Sequence, residues 1–263
     1  MSEPASTALA AAENLRIILV GTQHPGNIGA AARAMKTMGL TNLVLVSPQK
    51  APDGDTHAMA AGAIDLVDAA QVHGSLQEAV ADCRWVLGCT ARSRRVQLEE
   101  LHPRDAAQRA LLATASGPVA IVFGRERTGL ENEELQLCHA AVHIPSDPAF
   151  SSLNLAAAVQ VVSYELRCAL LGNALARPEA MRTAPPGSEA ATHAELEGLF
   201  GQLAEALEQI DFHKGRAPES AMRKLRRLYL RANLDHADIR LLRGVLADTQ
   251  RMARLATEAG RQD

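Results

Sequence analysis

Aromatic residues are scarce in this chain of 263 residues: one Trp, two Tyr and four Phe. Its core must therefore be built from aliphatic side chains, and a hydrophobic content of 47% supplies them. Cysteine is equally thin. Cys83, Cys89, Cys138 and Cys168 form no C-x-x-C pair, which argues against a disulfide framework and for a reducing compartment. Cys138, His139 and His143 invite a zinc reading, but they lack a fourth donor nearby, and no metal is expected. Residues 1–14 have neither the basic nor the apolar region of a signal peptide and read as a disordered tail. No uninterrupted apolar run is long enough to cross a bilayer, so a cytoplasmic protein is expected. Positive charge is also in short supply, with a net charge of −3 and a pI near 6.3. Any affinity for nucleic acid must then come from local clustering of Lys and Arg.

What the chain does have is a succession of short aliphatic runs: LRIILV (15–20), LVLV (43–46), WVLG (85–88), VAIVF (119–123) and AVHI (141–144). Continuous apolar strands alternating with helical patterns mark a parallel sheet covered on both faces, an α/β domain over residues 15–172. Its last segment, SSLNLAAAVQVVSYELRCALLG, reads as a helix capped by Ser151 or Ser152, closed by Gly172 and apolar nearly all round, hence buried. Residues 173–192 are rich in Ala, Pro and small polar residues and read as a linker. Beyond it lie only helical patterns, over 193–211, 218–232 and 236–256. The missing basic cluster lies between residues 216 and 231, with Arg216, Arg223, Lys224, Arg226, Arg227 and Arg231 against the single acid Glu219, most of it on the middle helix.

In an open parallel sheet, ligands bind beyond the carboxyl ends of the strands, so the loops GTQHPGNIG (21–29), GCTARSRR (88–95), GRERTGL (124–130) and PSDPAFSS (145–152) are the places to look. The first has G-x-x-x-x-G-x-x-G spacing and no acid after the second strand, which weakens a dinucleotide reading. The third lacks the Lys-Ser/Thr of a P-loop. On periodicity alone Arg33 lies opposite the stripe Ile28, Ala31, Met35 and Met38, as a solvated arginine would. Its place less than two turns into a helix entered from a ligand-side loop leaves a functional role open. Glu126 between Arg125 and Arg127 reads as a local ion-pair partner, and Ser152 and Asn154 as a cap and a first-turn polar residue. Arg92, Arg94 and Arg95 are either a solvated face or an anion site on a ligand-side loop.

Taken together, HPGNIGAAARAMKTMGLTNLVLVSP, VFGRERTGLENEEL and IPSDPAFSSLNLAAAVQVVSYELR resemble the three motifs of the SPOUT class of RNA ribose methyltransferases. The spacing and the helical extension are most similar to the TrmJ-type tRNA (cytidine/uridine-2′-O-)methyltransferases. The resemblance runs from residue 15 to about 171 and, more loosely, into the basic tail. It implies a trefoil-knotted α/β domain followed by a small all-helical tRNA-binding extension (193–263), a homodimer, and S-adenosylmethionine as cofactor. It implies cofactor contacts at Cys89, Thr90, Ala91, Gly124, Ile144, Ser151, Ser152 and Leu153, with Gly124 letting backbone approach the ligand. Catalytic positions fall on Arg33, Asn27, Glu126, Ser152 and Asn154, and RNA contacts on Arg92, Arg94, Arg95, Arg223, Arg226, Arg227 and Arg231. The implied reaction is 2′-O-methylation of a ribose in the tRNA anticodon loop, at position 32. The same reaction on another RNA such as ribosomal RNA, or a noncatalytic RNA-binding module, are the alternatives; an oxidoreductase is disfavoured by the glycine and acid pattern.

Overall fold

The computed structural model describes residues 10–91, 98–175 and 189–259. The chain divides into two compact units, Met1–Ala180 and Met181–Asp263.

In the first unit the strands are β1 Leu15–Val20, β2 Asn42–Val46, β3 Gln71–His73, β4 Trp85–Cys89, β5 Glu99–Leu101, β6 Val119–Phe123 and β7 Ala140–Val142. The helices are α1 Pro25–Thr37, α2 Gly54–Ala60, α3 Ile64–Asp68, α4 Leu76–Ala79, α5 Pro103–Ala113, α6 Asn132–Gln136 and α7 Leu155–Leu175. The strands form one sheet in the order β3-β2-β1-β6-β4-β7-β5, and every ladder is parallel. Alternation of side chains along the strands explains the unbroken aliphatic runs. Ile17, Leu19, Leu43, Leu45, Ile121 and Phe123 pack on one face with α1, α5 and α7, while Ile18, Val20, Val44, Val46, Ala120 and Val122 pack on the other with Leu76, Val80 and Leu135. Each such aliphatic side chain contributes about 1.5–3 kcal/mol when fully buried.

Strands β3 and β5 have no aliphatic run to announce them. QVH and EEL are extended because β2 and β7 offer them a free edge, so tertiary pairing rather than local pattern creates them. Helix α1 begins at Pro25, where a proline costs nothing because the first helical N–H has no partner anyway. Its Gly29 meets α2 at van der Waals contact: a Cβ there would lie 2.1 Å from the Thr56 carbonyl oxygen. Thr56, wholly buried, donates its hydroxyl to the Pro25 carbonyl at 3.0 Å, and Asp53 caps α2. The segment around α2 is thus the buttress that aims the start of α1.

Several sequence expectations are corrected. Residues 10–13 are helical and Ala12 is buried, so order begins within the expected tail. Asn154, not Ser151 or Ser152, caps α7, its Oδ1 accepting from the Ala156 N–H at 2.9 Å. Helix α7 continues through Gly172 to Leu175, because a glycine with open space around it need not terminate a helix. Nor is α7 buried all round: Val159, Val162, Leu166 and Leu170 enter the core, whereas Tyr164, Cys168 and Leu171 are exposed. By length and composition, Leu155–Gly172 also suffices to cross a membrane, with a mean hydropathy of 1.3. Here its apolar content serves the sheet core on one side and an open face on the other.

The second unit contains α8 His193–Gln209, α9 Pro218–Ala232 and α10 His236–Ala259 around Ala191, Leu196, Leu199, Phe200, Leu230 and Ile239. Thr192 and Glu195 form a reciprocal capping box at the start of α8, and Ala191 is already buried, so the expected linker ends before them. His193 is fully buried with neither ring nitrogen hydrogen-bonded; Glu197 Oε1 lies 3.4 Å from its Nε2 but is taken by Arg226. Burial pushes the His193 pKa down, opposed by Glu197 and aided by Arg226. The folded ring is therefore neutral, while the unfolded ring gains a proton below about pH 6.5. Stability of this unit should fall as pH drops from 7 to 5.5, with a contribution from this residue on the order of 1 kcal/mol. Thermal melts of the full chain and of His193→Phe across that range test it. A variant with the same acid slope as the parent would refute the assignment.

Candidate active site

The carboxyl ends of β4, β6 and β7, three neighbours in the sheet, open onto a cavity of about 430 Å³. Cys89, Thr90 and Ala91 enter it from β4, Phe123 to Gly129 from β6, and Ile144, Ser151, Ser152, Leu153, Leu155 and Ala158 from the segment after β7. All eight residues singled out for cofactor contact thus line one cavity. Phe123, Arg125, Arg127, Thr128, Gly129, Leu155 and Ala158 line it too; four of these belong to the ligand-side loop 124–130, but neither the pattern nor the resemblance gives any of them a role.

The walls are held by local hydrogen bonds. The Thr90 N–H donates to the Val142 carbonyl at 3.0 Å, and Ser146 Oγ donates to the Ser151 carbonyl at 3.0 Å. Asp147 Oδ1 accepts from the Ala149 N–H at 2.8 Å, folding the loop that carries Ser151 and Ser152. Burial pushes the Cys89 thiol up to about 12, so it stays protonated and a poor nucleophile at neutral pH. Gly124 is required for a reason other than ligand approach: a Cβ there would fall 2.2 Å from both the Gly129 carbonyl carbon and the Leu130 nitrogen. The chain's own backbone fills that space.

Beside the cavity, side chains from all three motifs join. Asn154 Nδ2 donates to Asn27 Oδ1 at 3.2 Å, and Asn27 Nδ2 donates to Glu126 Oε1 at 2.9 Å. The Glu126 carboxylate also accepts from the Gln23 N–H at 2.9 Å and the His24 N–H at 3.1 Å. Burial alone would raise the Glu126 pKa, but these donors from Asn27, Gln23 and His24 hold it below the usual carboxylate range. An ionised carboxylate so fully engaged orients the loop after β1; it is not poised to shuttle protons. The expected local ion pair of Glu126 with its arginine neighbours is not made.

Arg33 stands apart. It is exposed on α1, outside the lining of the cavity, and its guanidinium has no hydrogen-bond or ion-pair partner among the described residues. It lies about 9 Å along the helix axis from Asn27 and roughly 120° around it.

The basic cluster of the second unit is heterogeneous. Arg223, Lys224 and Arg231 are exposed on α9. Arg226 is not available to a ligand: its Nη1 donates to Glu197 Oε2 at 2.9 Å, and its guanidinium lies 4.5 Å from the centre of the Phe200 ring. Arg227 is half-buried. Arg92, Arg94 and Arg95 lie outside the described residues. Cys138, His139 and His143 serve separately, Cys138 Sγ on the Glu134 carbonyl, His139 Nδ1 on the Val86 N–H, and His143 Nδ1 at 3.3 Å from the Thr90 carbonyl. No group of three or more His, Cys, Asp or Glu side chains is placed to hold a metal among the described residues.

This arrangement has relatives. The SpoU rRNA Methylase family model matches residues 14–164, and that of the tRNA methyltransferase TrmJ C-terminal domain matches residues 194–258. The tRNA (cytidine/uridine/adenosine-2′-O-)-methyltransferase TrmJ of Pseudomonas aeruginosa is 49% identical over 247 residues, covering 92% of this chain and 96% of the relative. The tRNA (cytidine/uridine-2′-O-)-methyltransferase TrmJ of Cronobacter sakazakii is 45% identical over 241 residues, covering 90% and 96%. Among solved structures, TrmJ from Z. mobilis superposes with a TM-score of 0.75 at 36% identity, covering 89% of this chain and 97% of that one. The chain therefore belongs to the SpoU methylase family and, by both of its units, to the TrmJ type of tRNA 2′-O-methyltransferase within it.

Proposed function

We propose that the protein transfers a methyl group from S-adenosylmethionine to the ribose 2′-hydroxyl of a cytidine or uridine in the tRNA anticodon loop, at position 32. The observation that carries the reading is the bonded series Asn154, Asn27, Glu126 beside the cavity, one residue from each motif. The cavity suits the cofactor. Its volume of about 430 Å³ is in the range of small-molecule sites. Ile144, Leu153 and Leu155 offer apolar walls for a planar base, and Thr90, Ser151 and Ser152 offer polar groups for its edges. When bound, the cofactor supplies a methyl group on an electrophilic sulfonium. A Cys89 thiol held protonated does not compete for that methyl.

The chain's own work is alignment of the hydroxyl, whose proton passes to solvent water, and stabilisation of the negative charge developing on its oxygen. Arg33 supplies the opposing positive charge as an electrostatic stabiliser and phosphate clamp, since a guanidinium resists deprotonation. Because Arg33 does not line its own chain's cavity, the reading requires a homodimer in which it serves the partner's site. The exposed side of α7, with Tyr164 and Leu171, is the apolar surface such a dimer would cover. The reading includes the trefoil knot of the class, a cytoplasmic location, and tRNA held by Arg223, Arg227 and Arg231 of the helical extension. The relatives' names include cytidine, uridine and, in P. aeruginosa, adenosine, which supports tolerance of the base.

Purified protein incubated with methyl-labelled S-adenosylmethionine and bulk tRNA should yield labelled 2′-O-methylcytidine and 2′-O-methyluridine mapping to position 32. A parallel incubation with ribosomal RNA should stay unlabelled, and label there with none in tRNA would replace the substrate assignment. Absence of label in any RNA, with tRNA still bound, would leave only a binding module.

A further inference from the structure

Arg125, Glu126 and Arg127 are consecutive charged residues on the loop after β6, and the structure treats them differently. Arg125 Nη1 donates to both Glu134 carboxylate oxygens at 3.0 Å, and its Nη2 lies 3.5 Å from Glu131 Oε1. Glu126 is bound by Gln23, His24 and Asn27. Arg127 is exposed, lines the cavity, and has no hydrogen-bond or ion-pair partner for its guanidinium among the described residues.

The loop itself is closed. The Arg125 N–H donates to the Gly129 carbonyl at 3.2 Å and the Gly129 N–H returns to the Arg125 carbonyl at 2.8 Å, with Gly129 at φ +68°. Arg127 is at the middle of that five-residue turn, whose two ends are bonded to each other and whose Glu126 is held by Gln23, His24 and Asn27. Its backbone is thus fixed before any ligand arrives, and the one unneutralised charge of the turn projects beside the cavity. A guanidinium presents a planar fork of donors that matches a phosphate, and a fork on a fixed backbone loses little freedom on binding.

Resting on the methyltransferase reading above, we infer that Arg127 binds a backbone phosphate of the RNA next to the ribose being methylated, and so positions that nucleotide over the cavity. Its exposure favours an anion arriving from solvent, as an RNA phosphate does, over the carboxylate of a small ligand enclosed by the cavity walls.

The experiment compares the full-length protein with Arg127→Ala and Arg127→Lys in methyl transfer to bulk tRNA at several salt concentrations, with S-adenosylmethionine binding followed by calorimetry. Arg127→Ala should raise KM for tRNA about 10-fold, in line with the loss of one charged contact. It should also make the slope of log(kcat/KM) against log salt shallower by about 0.7, the value for one phosphate contact on a single strand. Affinity for S-adenosylmethionine should stay within about twofold, and Arg127→Lys should recover most of KM because the charge is kept. Loss of cofactor affinity in parallel with activity would overturn the inference and assign Arg127 to the cofactor carboxylate. An unchanged KM and salt slope in Arg127→Ala would also overturn it, leaving the methyltransferase reading intact. Parent protein that methylates no tRNA would overturn that reading, and the inference with it.

Discussion

Arg33→Ala is expected to lower methylation of tRNA by about 10²–10³-fold or more while leaving the fold and cofactor binding unchanged. Arg33 is exposed and its guanidinium has no partner among the described residues, so truncation should shift stability by no more than about 0.5 kcal/mol. Arg33→Lys should recover little, because a point charge on a flexible stem does not reproduce a planar fork aimed at an oxygen. Calorimetry with S-adenosylmethionine and single-turnover rates on tRNA separate binding from chemistry. Loss of cofactor affinity together with turnover would contradict this division of labour.

Subunit mixing tests the composite site. In the proposed dimer, an Arg33→Ala chain keeps a sound pocket, and a chain with its pocket filled, such as Leu153→Trp, keeps a sound Arg33. Random reassortment of the two should restore about a quarter of the sites. If the mixture is as inactive as its components, Arg33 acts within its own chain.

The second large effect is expected at Gly124. In Gly124→Ala the new methyl would lie 2.2 Å from two backbone atoms, which no side-chain rotation relieves. Either β6 or the 125–129 turn must move, at a cost of about 3 kcal/mol or more. Moving the turn carries Glu126 away from Gln23, His24 and Asn27 and displaces part of the cavity wall. Denaturant melts should report the lost stability and calorimetry a lost or strongly weakened affinity for S-adenosylmethionine. A variant as stable as the parent would show that the two backbone segments are not held in contact. The glycine is therefore a packing requirement of the loop first and a ligand requirement only through it.

Long aliphatic strands and the helices of the extension could be read from pattern because burial on both faces, or on one helical stripe, dictates residue type along their whole length. The three-residue edge strands could not, since QVH and EEL are extended only in company. The cap of α7 lies two or three residues beyond the serines that the pattern favours, because Ser151, Ser152 and Asn154 all have the chemistry of a cap and only the backbone path decides between them. Six of the eight cavity residues lie in loops that the strand pattern already marks as ligand-side, but which residues of those loops meet comes only from the resemblance, because the loops converge only once β4 lies between β6 and β7. Counting charge along α9 overstated its free cations, since Glu197 lies 29 residues from Arg226 in sequence and alongside it in space. Arg127 carries no mark in the sequence for the opposite reason: its distinction lies in the partners that Arg125 and Glu126 have and it lacks among the described residues.

Asn154 both starts α7 and completes the series through Asn27 to Glu126. On the ribosome, then, a nascent chain that has emerged as far as β7 already has Asn27 and Glu126, yet not the residues from Ser151 onward that close the cavity. Competence arrives late in translation, with the docking of a helix near the end of the first unit, and a product cut short before that point lacks both Asn154 and the side chains that α7 adds to the core.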